Sequence, residues 1–186
     1  MISAAPAFAV EISGTDAGHG TITFSGAVVE APCSISPDSQ NIQADLGQVS
    51  MKALTAAGTT SPDAAKIQIN LSGCAFEATD PAPSTGTDHG QKSKVDVEFS
   101  NLTIVDATTG IIKNTAASNP ANHVDIQLLR SDMTPFNLTN GAATGTATQL
   151  TPGANQLTLW ARMISKDGSA TAGNVGATIT YKLKYF

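Results

Sequence analysis

The chain reads as an all-β sandwich, and three observations predict it. The first is period-2 alternation near the C-terminus. Ala177, Ile179, Tyr181, Leu183 and Tyr185 fall on one side of an extended strand, and Thr178, Thr180, Lys182 and Lys184 on the other. The second is a series of further short runs of the same kind, separated by stretches of Gly, Ala, Ser, Thr and Asn. The third is bulk composition. With 186 residues, 41% hydrophobic and only 13% charged, the chain can bury one real core. A disordered chain would lack the repeated strand patterns. The terminal apolar face needs a cover, and the expectation is that no later part of this sequence supplies one.

The elements follow in order. Residues 1–9 carry Ala7-Phe8-Ala9, a small-x-small pattern. They read as the tail of a secretory signal peptide without its basic part, or as an ordinary Ala-rich start. On the first reading the mature chain begins at Val10. Residues 10–20 are polar, with Gly14, Gly18 and Gly20, and cannot anchor themselves in a core. Residues 21–30 predict a strand through Ile22, Phe24 and Val28, ended by Pro32 beside Cys33. A strand over 42–46 follows, then a loop over 51–65 with room for one short turn of helix. Over 66–74, Ile67, Ile69 and Leu71 alternate with Gln68, Asn70 and Ser72. Residues 77–92 hold Pro81, Pro83, Gly86 and Gly90 and read as an exposed loop.

The next strand spans 94–102, with Val95, Val97 and Phe99 on one face. A hairpin over 102–112 turns through Thr108-Thr109-Gly110. Val124, Ile126 and Leu128 mark a strand over 123–129. Asn140-Gly141 and Pro152-Gly153 are turn signals within 131–154. Over 156–164, Leu157, Leu159 and Ala161 share a face. Trp160 lies on the other, either exposed as a contact or covered. Asp167-Gly168 opens the turn before the terminal strand. No repeat and no second domain boundary is visible.

Several function classes find no support. The net charge is −5, and no Lys or Arg precedes Lys52, so there is no basic patch for nucleic acid. No stretch approaches the roughly 20 apolar residues that span a bilayer. His19, His89 and His123 are scattered, without metal-ligand spacing. Glu77, Asp80 and Asp88 lack the DxDxDG calcium pattern. GxSxG and the P-loop are absent. No catalytic residue, metal or cofactor is expected. Cys33 and Cys74 read either as two unrelated buried thiols or as one disulfide of an exported protein. The N-terminus favours the disulfide, whose loop of about 40 residues would be worth about 4 kcal/mol in the chain-entropy model.

Five segments in one order carry a resemblance. Gly20-Thr-Ile-Thr-Phe-Ser-Gly-Ala-Val-Val-Glu-Ala-Pro-Cys33 leads into the first cysteine. Leu46-Gly-Gln-Val49 follows. Ile67-Gln-Ile-Asn-Leu-Ser-Gly-Cys74 carries the second cysteine, and Val124-Asp-Ile-Gln-Leu-Leu comes later. Gly173 stands fourteenth from the end and Tyr185 is penultimate. Together they resemble the pilin subunits of chaperone–usher fimbriae, close to the type 1 major pilin class.

The resemblance implies an incomplete immunoglobulin-like sandwich that lacks its seventh (G) strand and is completed by a donor strand. It implies a pilin domain over 21–186 and a donor-strand extension over 10–20. The donor face would be Val10, Ile12, Gly14, Asp16, Gly18, Gly20 and Ile22, of which Asp16 departs from an apolar ideal. A one-residue slip would present the other face. The acceptor groove and chaperone contact would be Gly173, Ala177, Ile179, Tyr181, Leu183, Tyr185 and Phe186. The implied partners are neighbouring pilin subunits, with a homopolymer expected, a periplasmic chaperone that grips the Phe186 carboxylate, and an outer-membrane usher. The implied destination is the cell surface, through the periplasm. Rival readings are a minor or adaptor pilin, or an autonomous secreted carbohydrate-binding sandwich with a complete sheet.

Overall fold

The computed structural model describes residues 21–26, 28, 31–76, 92–139 and 147–186. The N-terminal residues 1–20, the expected loop around 77–91 and the Asn140-Gly141 turn lie outside them. Met1–Glu30 and Ala31–Phe186 are separate compact units. In the first, residues 21–26 and 28 form no strand, although their alternation predicts one. Ile22, Phe24 and Val28 are exposed, at 78%, 89% and 103% of full accessibility. Alternation supplies a face, but a strand also needs a partner for its backbone N–H and C=O groups.

Ala31–Phe186 holds ten strands among its described residues. They are β1 Ser34–Ile35, β2 Thr59–Thr60, β3 Ala65–Cys74, β4 Lys94–Ser100 and β5 Ile104–Asp106. They continue with β6 Ile111–Ile112, β7 Asp125–Leu129, β8 Thr148–Gln149, β9 Gly153–Ser165 and β10 Thr180–Tyr185. One sheet runs β1-β3-β9-β7-β6-β5, with β2 also on β9, and the other runs β10-β4-β8. Every strand pair is antiparallel. One apolar cluster joins Ile69, Leu71 and Leu157 of the larger sheet to Val95, Val97 and Phe99 of the smaller.

The long strand β9 organises the larger sheet. Ile67 and Ile69 of β3 face Leu159 and Leu157, while Leu128 of β7 faces Ala161 from the other side. β2 continues the β3 edge along β9 after an interruption at Ser61. There the Ser61 N–H donates to the Met163 carbonyl at 2.8 Å, and the Met163 N–H donates to Ser61 Oγ at 3.1 Å. Gly73, at φ +61, lets β3 bulge before Cys74, and the β3–β9 register shifts there. Cys33 and Cys74 form a disulfide that ties the start of the unit to β3.

The predicted hairpin is β5–β6. Gly110 in its turn has φ +69, and a Cβ there would sit 2.5 Å from the Phe136 carbonyl oxygen. Asp106 organises the turn by accepting from the Thr108 and Thr109 N–H groups at 3.0 and 3.3 Å.

Four readings change. Residues 42–46 form no strand, because no neighbouring edge pairs with them. Ile42 and Leu46 still turn into the core. β7 alternates in sequence but is buried on both faces. Asp125 accepts the Asn114 N–H at 3.0 Å, and Gln127 donates to the Thr109 carbonyl at 2.9 Å while accepting from Arg162 Nε at 2.9 Å. The turn-rich stretch 131–154 supplies Phe136, Leu138 and Leu150 to the core, with Phe136 edge-on to Phe99 at 5.1 Å. The terminal strand pairs only from Thr180, not from Ala177. Trp160 does lie on the far face of β9, half-buried between Leu129 and Lys66.

Replacing Cys33 and Cys74 together by Ser is expected to lower the unfolding free energy by about 4 kcal/mol. Urea titration of the oxidised wild type beside the double variant checks this.

An open groove between two unpaired rails

Within Ala31–Phe186 an open cleft of about 1380 Å³ runs between the sheets. Its floor is the inner face of the larger sheet: Ile67 and Ile69 of β3, Leu159 and Met163 of β9, Ile126 and Leu128 of β7. Inward alternation on three neighbouring strands makes this floor apolar. Residues 40–49 line one side and residues 171–181 the other.

Among the described residues neither side has a strand partner across the groove. Residues 41–50 belong to no strand. β10 pairs with β4 alone, from Thr180 opposite Ser100 to Tyr185 opposite Val95. Its other edge has no strand beside it among the described residues. The burial pattern shows what is missing. Tyr181, Leu183 and Tyr185 of β10 are only half-buried, while Thr180, Lys182 and Lys184 are exposed. In the neighbouring β4, paired with β10 along its length and with β8 at Lys94 and Val95, Val95, Val97 and Phe99 are buried.

The family comparison fits this geometry. A family model described as "Fimbrial protein" matches residues 22–186. The chain belongs to this family. The F17 fimbrial protein of Escherichia coli is 32% identical over 95% of this chain and 93% of its own length. The type-1 fimbrial protein A chain of Escherichia coli strain K12 is 31% identical, over 92% of this chain and 86% of that one. A subunit of a chaperone–usher pilus solved to explain rod uncoiling superposes with a TM-score of 0.67 and 26% identity, covering 91% of this chain and 96% of that one. The chain is a structural fimbrial subunit, and its sandwich is the chaperone–usher pilin fold.

The anticipated groove residues divide. Gly173, Ala177, Ile179 and Tyr181 line the cleft. Leu183 and Tyr185 continue the same face of β10 and pack half-buried against the core, outside the cleft. Phe186 is exposed, and its N–H and carbonyl both pair with Lys94. Of the anticipated donor residues, Val10, Ile12, Gly14, Asp16, Gly18 and Gly20 lie outside the described residues. Ile22 is exposed in the N-terminal unit. The segment 40–49 shows in sequence a motif at Leu46-Gly-Gln-Val49 and an expected strand over 42–46 that does not form. Its role as a side wall depends on contacts that alternation does not encode.

Two contacts set the walls. At Gly173 a Cβ would lie 2.5 Å from the Ala121 nitrogen and 2.7 Å from the Asn119 carbonyl oxygen. Only glycine lets residues 173–176 approach the loop before β7 this closely. The Tyr181 hydroxyl donates to the Ser39 carbonyl at 2.6 Å, joining the head of β10 to the 3-10 turn Pro37–Ser39 that precedes the opposite wall. Burial, and then the Asp38 carboxylate, hold the Tyr181 phenol above its usual pKa. Burial, and then Tyr181, do the same to Tyr185.

Among the described residues no group of acidic, His or Cys side chains could hold a metal. No helix among them is long and apolar enough to cross a membrane.

Gly173→Ala is expected to cost about 1–3 kcal/mol, since the colliding atoms are backbone. Thermal melting against wild type reads this. Tyr181→Phe removes one hydrogen bond and leaves the buried Ser39 carbonyl without it. The expected loss is about 1–2 kcal/mol, seen as a lower urea midpoint with an unchanged m-value.

Proposed function

We propose that this fimbrial subunit polymerises by donor-strand exchange, with the groove as acceptor and residues 10–22 of a neighbouring copy as donor. The observation that carries the proposal is the outer edge of β10, unpaired beside an apolar cleft. An added strand would take backbone hydrogen bonds from that edge and place alternate side chains on the floor. The apolar donor face is Val10, Ile12 and Ile22, spaced by Gly14, Gly18 and Gly20, where glycine permits close backbone approach. Asp16 is the one charged residue on that face. Each subunit carries both a donor segment and an acceptor groove, and a heterologous contact of this kind that does not close yields a filament.

Assembly of this kind calls for a temporary occupant. A periplasmic chaperone lends a strand to the groove and holds the Phe186 carboxylate, and an outer-membrane usher exchanges it for the next subunit's extension. The small-x-small pattern Ala7-Phe8-Ala9 supports an export signal on this reading, and the subunit ends in a surface fimbria that supports adhesion. The protein has no catalytic role in this reading.

A synthetic peptide spanning residues 10–24, added to the oxidised protein, is expected to raise its melting temperature and shift it on native electrophoresis. The shift is expected to vanish when Ile12 or Gly14 of the peptide is replaced by Asp. A protein indifferent to the wild-type peptide would sink strand exchange and favour an autonomous binding domain.

A further inference from the structure

The rail formed by residues 173–181 is held at two points. At its far end β10 joins β4 from Thr180 onward. Its near end is held by backbone bonds, Ala121 N–H to the Asn174 carbonyl at 2.9 Å and Asn174 N–H to the Asn119 carbonyl at 2.8 Å, by Asn174 Nδ2 on the Ser118 carbonyl at 2.8 Å, and by the side chain of Asn114. Asn114 follows β6, is 9% exposed, and does not line the groove. Its Nδ2 donates to the carbonyls of Asn174 at 3.0 Å and Ala121 at 3.2 Å. Its Oδ1 accepts the N–H groups of Gly176 at 3.0 Å and Ala116 at 3.1 Å. Its own backbone N–H donates to Asp125 Oδ1 at 3.0 Å. The next residue adds a backbone bond, Thr115 N–H to the Gly176 carbonyl at 2.8 Å.

The chemistry of this set is selective. Two partners are carbonyl oxygens and two are N–H groups. A carboxylate has no hydrogen to offer the carbonyls, and a hydroxyl has one. A primary amide supplies two donors and two acceptor lone pairs from one planar group. Every polar atom of the Asn114 side chain is used, so the network is rigid rather than merely buried.

Between the two anchors lie Ala177, Thr178 and Ile179. They face the groove on one side, and on the other a second cavity of about 370 Å³, bounded by Leu102, Ile112 and Thr115. Ile179 packs against the core, and among the described residues no strand pairs with this span. Where its backbone groups point is set by where its ends are held.

We propose that Asn114 is a positioning residue for strand addition. It presets the backbone of residues 174–176, and through it the span 177–179, in the geometry an added strand must meet. The inference rests on the reading of the groove as a strand acceptor. Removing the amide leaves the fold formed but lets the near end of the rail move, so an added strand is held for less time. Preorganisation of this kind acts on the lifetime of a complex more than on its encounter rate.

The test uses the full-length oxidised protein and a fluorescent peptide spanning residues 10–24, with dissociation followed after dilution into unlabelled peptide. Asn114→Ala is compared with Leu138→Ala, a core change away from both the groove lining and β10. Asn114→Asp keeps the shape and the acceptor, and covers the event that the alanine variant does not fold. The expected result is dissociation at least tenfold faster for Asn114→Ala. Leu138→Ala stays within about threefold of wild type at a comparable loss of melting temperature. Asn114→Asp is expected to lie nearer the alanine variant than wild type, because both donors are gone. Wild-type dissociation rates in both Asn114 variants would overturn the proposal, as would equal acceleration by Leu138→Ala. A wild-type protein that never binds the peptide would instead remove the acceptor reading itself, and this proposal with it.

Discussion

β10 has β4 on one side and, among the described residues, no strand on the other. A strand edge of this kind normally endangers a soluble protein, and natural sheets blunt it with short edges, charges or bulges. Here the exposed face carries Lys182 and Lys184, but the groove-facing side carries Ile179 and Tyr181 beside an apolar floor. Much of the unit can be understood as support for that edge. The β4 ladder sets its register, Tyr181 ties its head to Ser39, and Gly173 brings its approach against Ala121.

Floor and walls are built differently. The floor is a continuous ladder in which β9 pairs with β3 on one side and β7 on the other. Its buried polar groups on β7 are satisfied, so it is stiff. The walls carry less pairing. Residues 41–50 belong to no strand, and residues 171–181 are tied by β4 from Thr180 onward and by a few hydrogen bonds to residues 114–122. A stiff floor keeps the pockets constant, and the sparse fixing of the walls leaves backbone groups available. These two properties are needed together in any site that recognises a strand by its backbone.

The legible part of the fold was the part with a neighbour. Alternation located β3, β4 and β9, each of which has a ladder partner, and the Thr108-Thr109-Gly110 turn signal located the hairpin of β5 and β6. It failed at residues 42–46, where the same pattern has no partner. It also said nothing of Phe136, Leu138 and Leu150, single apolar residues among turn signals that tertiary packing draws inward. In the groove, Gly173 and the alternating tyrosines were visible as positions. The reason for the glycine, a backbone atom 2.5 Å from where its Cβ would be, was not. The Asn114 network joins residues 114–125 to Asn174 and Gly176, 60 and 62 positions from Asn114, and no local pattern announces it.

The antiparallel pairing of β3 with β9 has a kinetic consequence. Ala65 meets Ala161, and Leu71 meets Asn155, so the spine of the sandwich closes only after most of the chain is available. Contacts this distant in sequence make folding slow, because loop entropy is lost before packing returns it. β4 in turn waits for β10, whose residues come last of all the strands. During that interval the apolar inner faces are open to other chains, and aggregation competes with closure. The time scale of maturation is thus written into the topology, and folding of this subunit at high concentration depends on something that shortens or shields that interval.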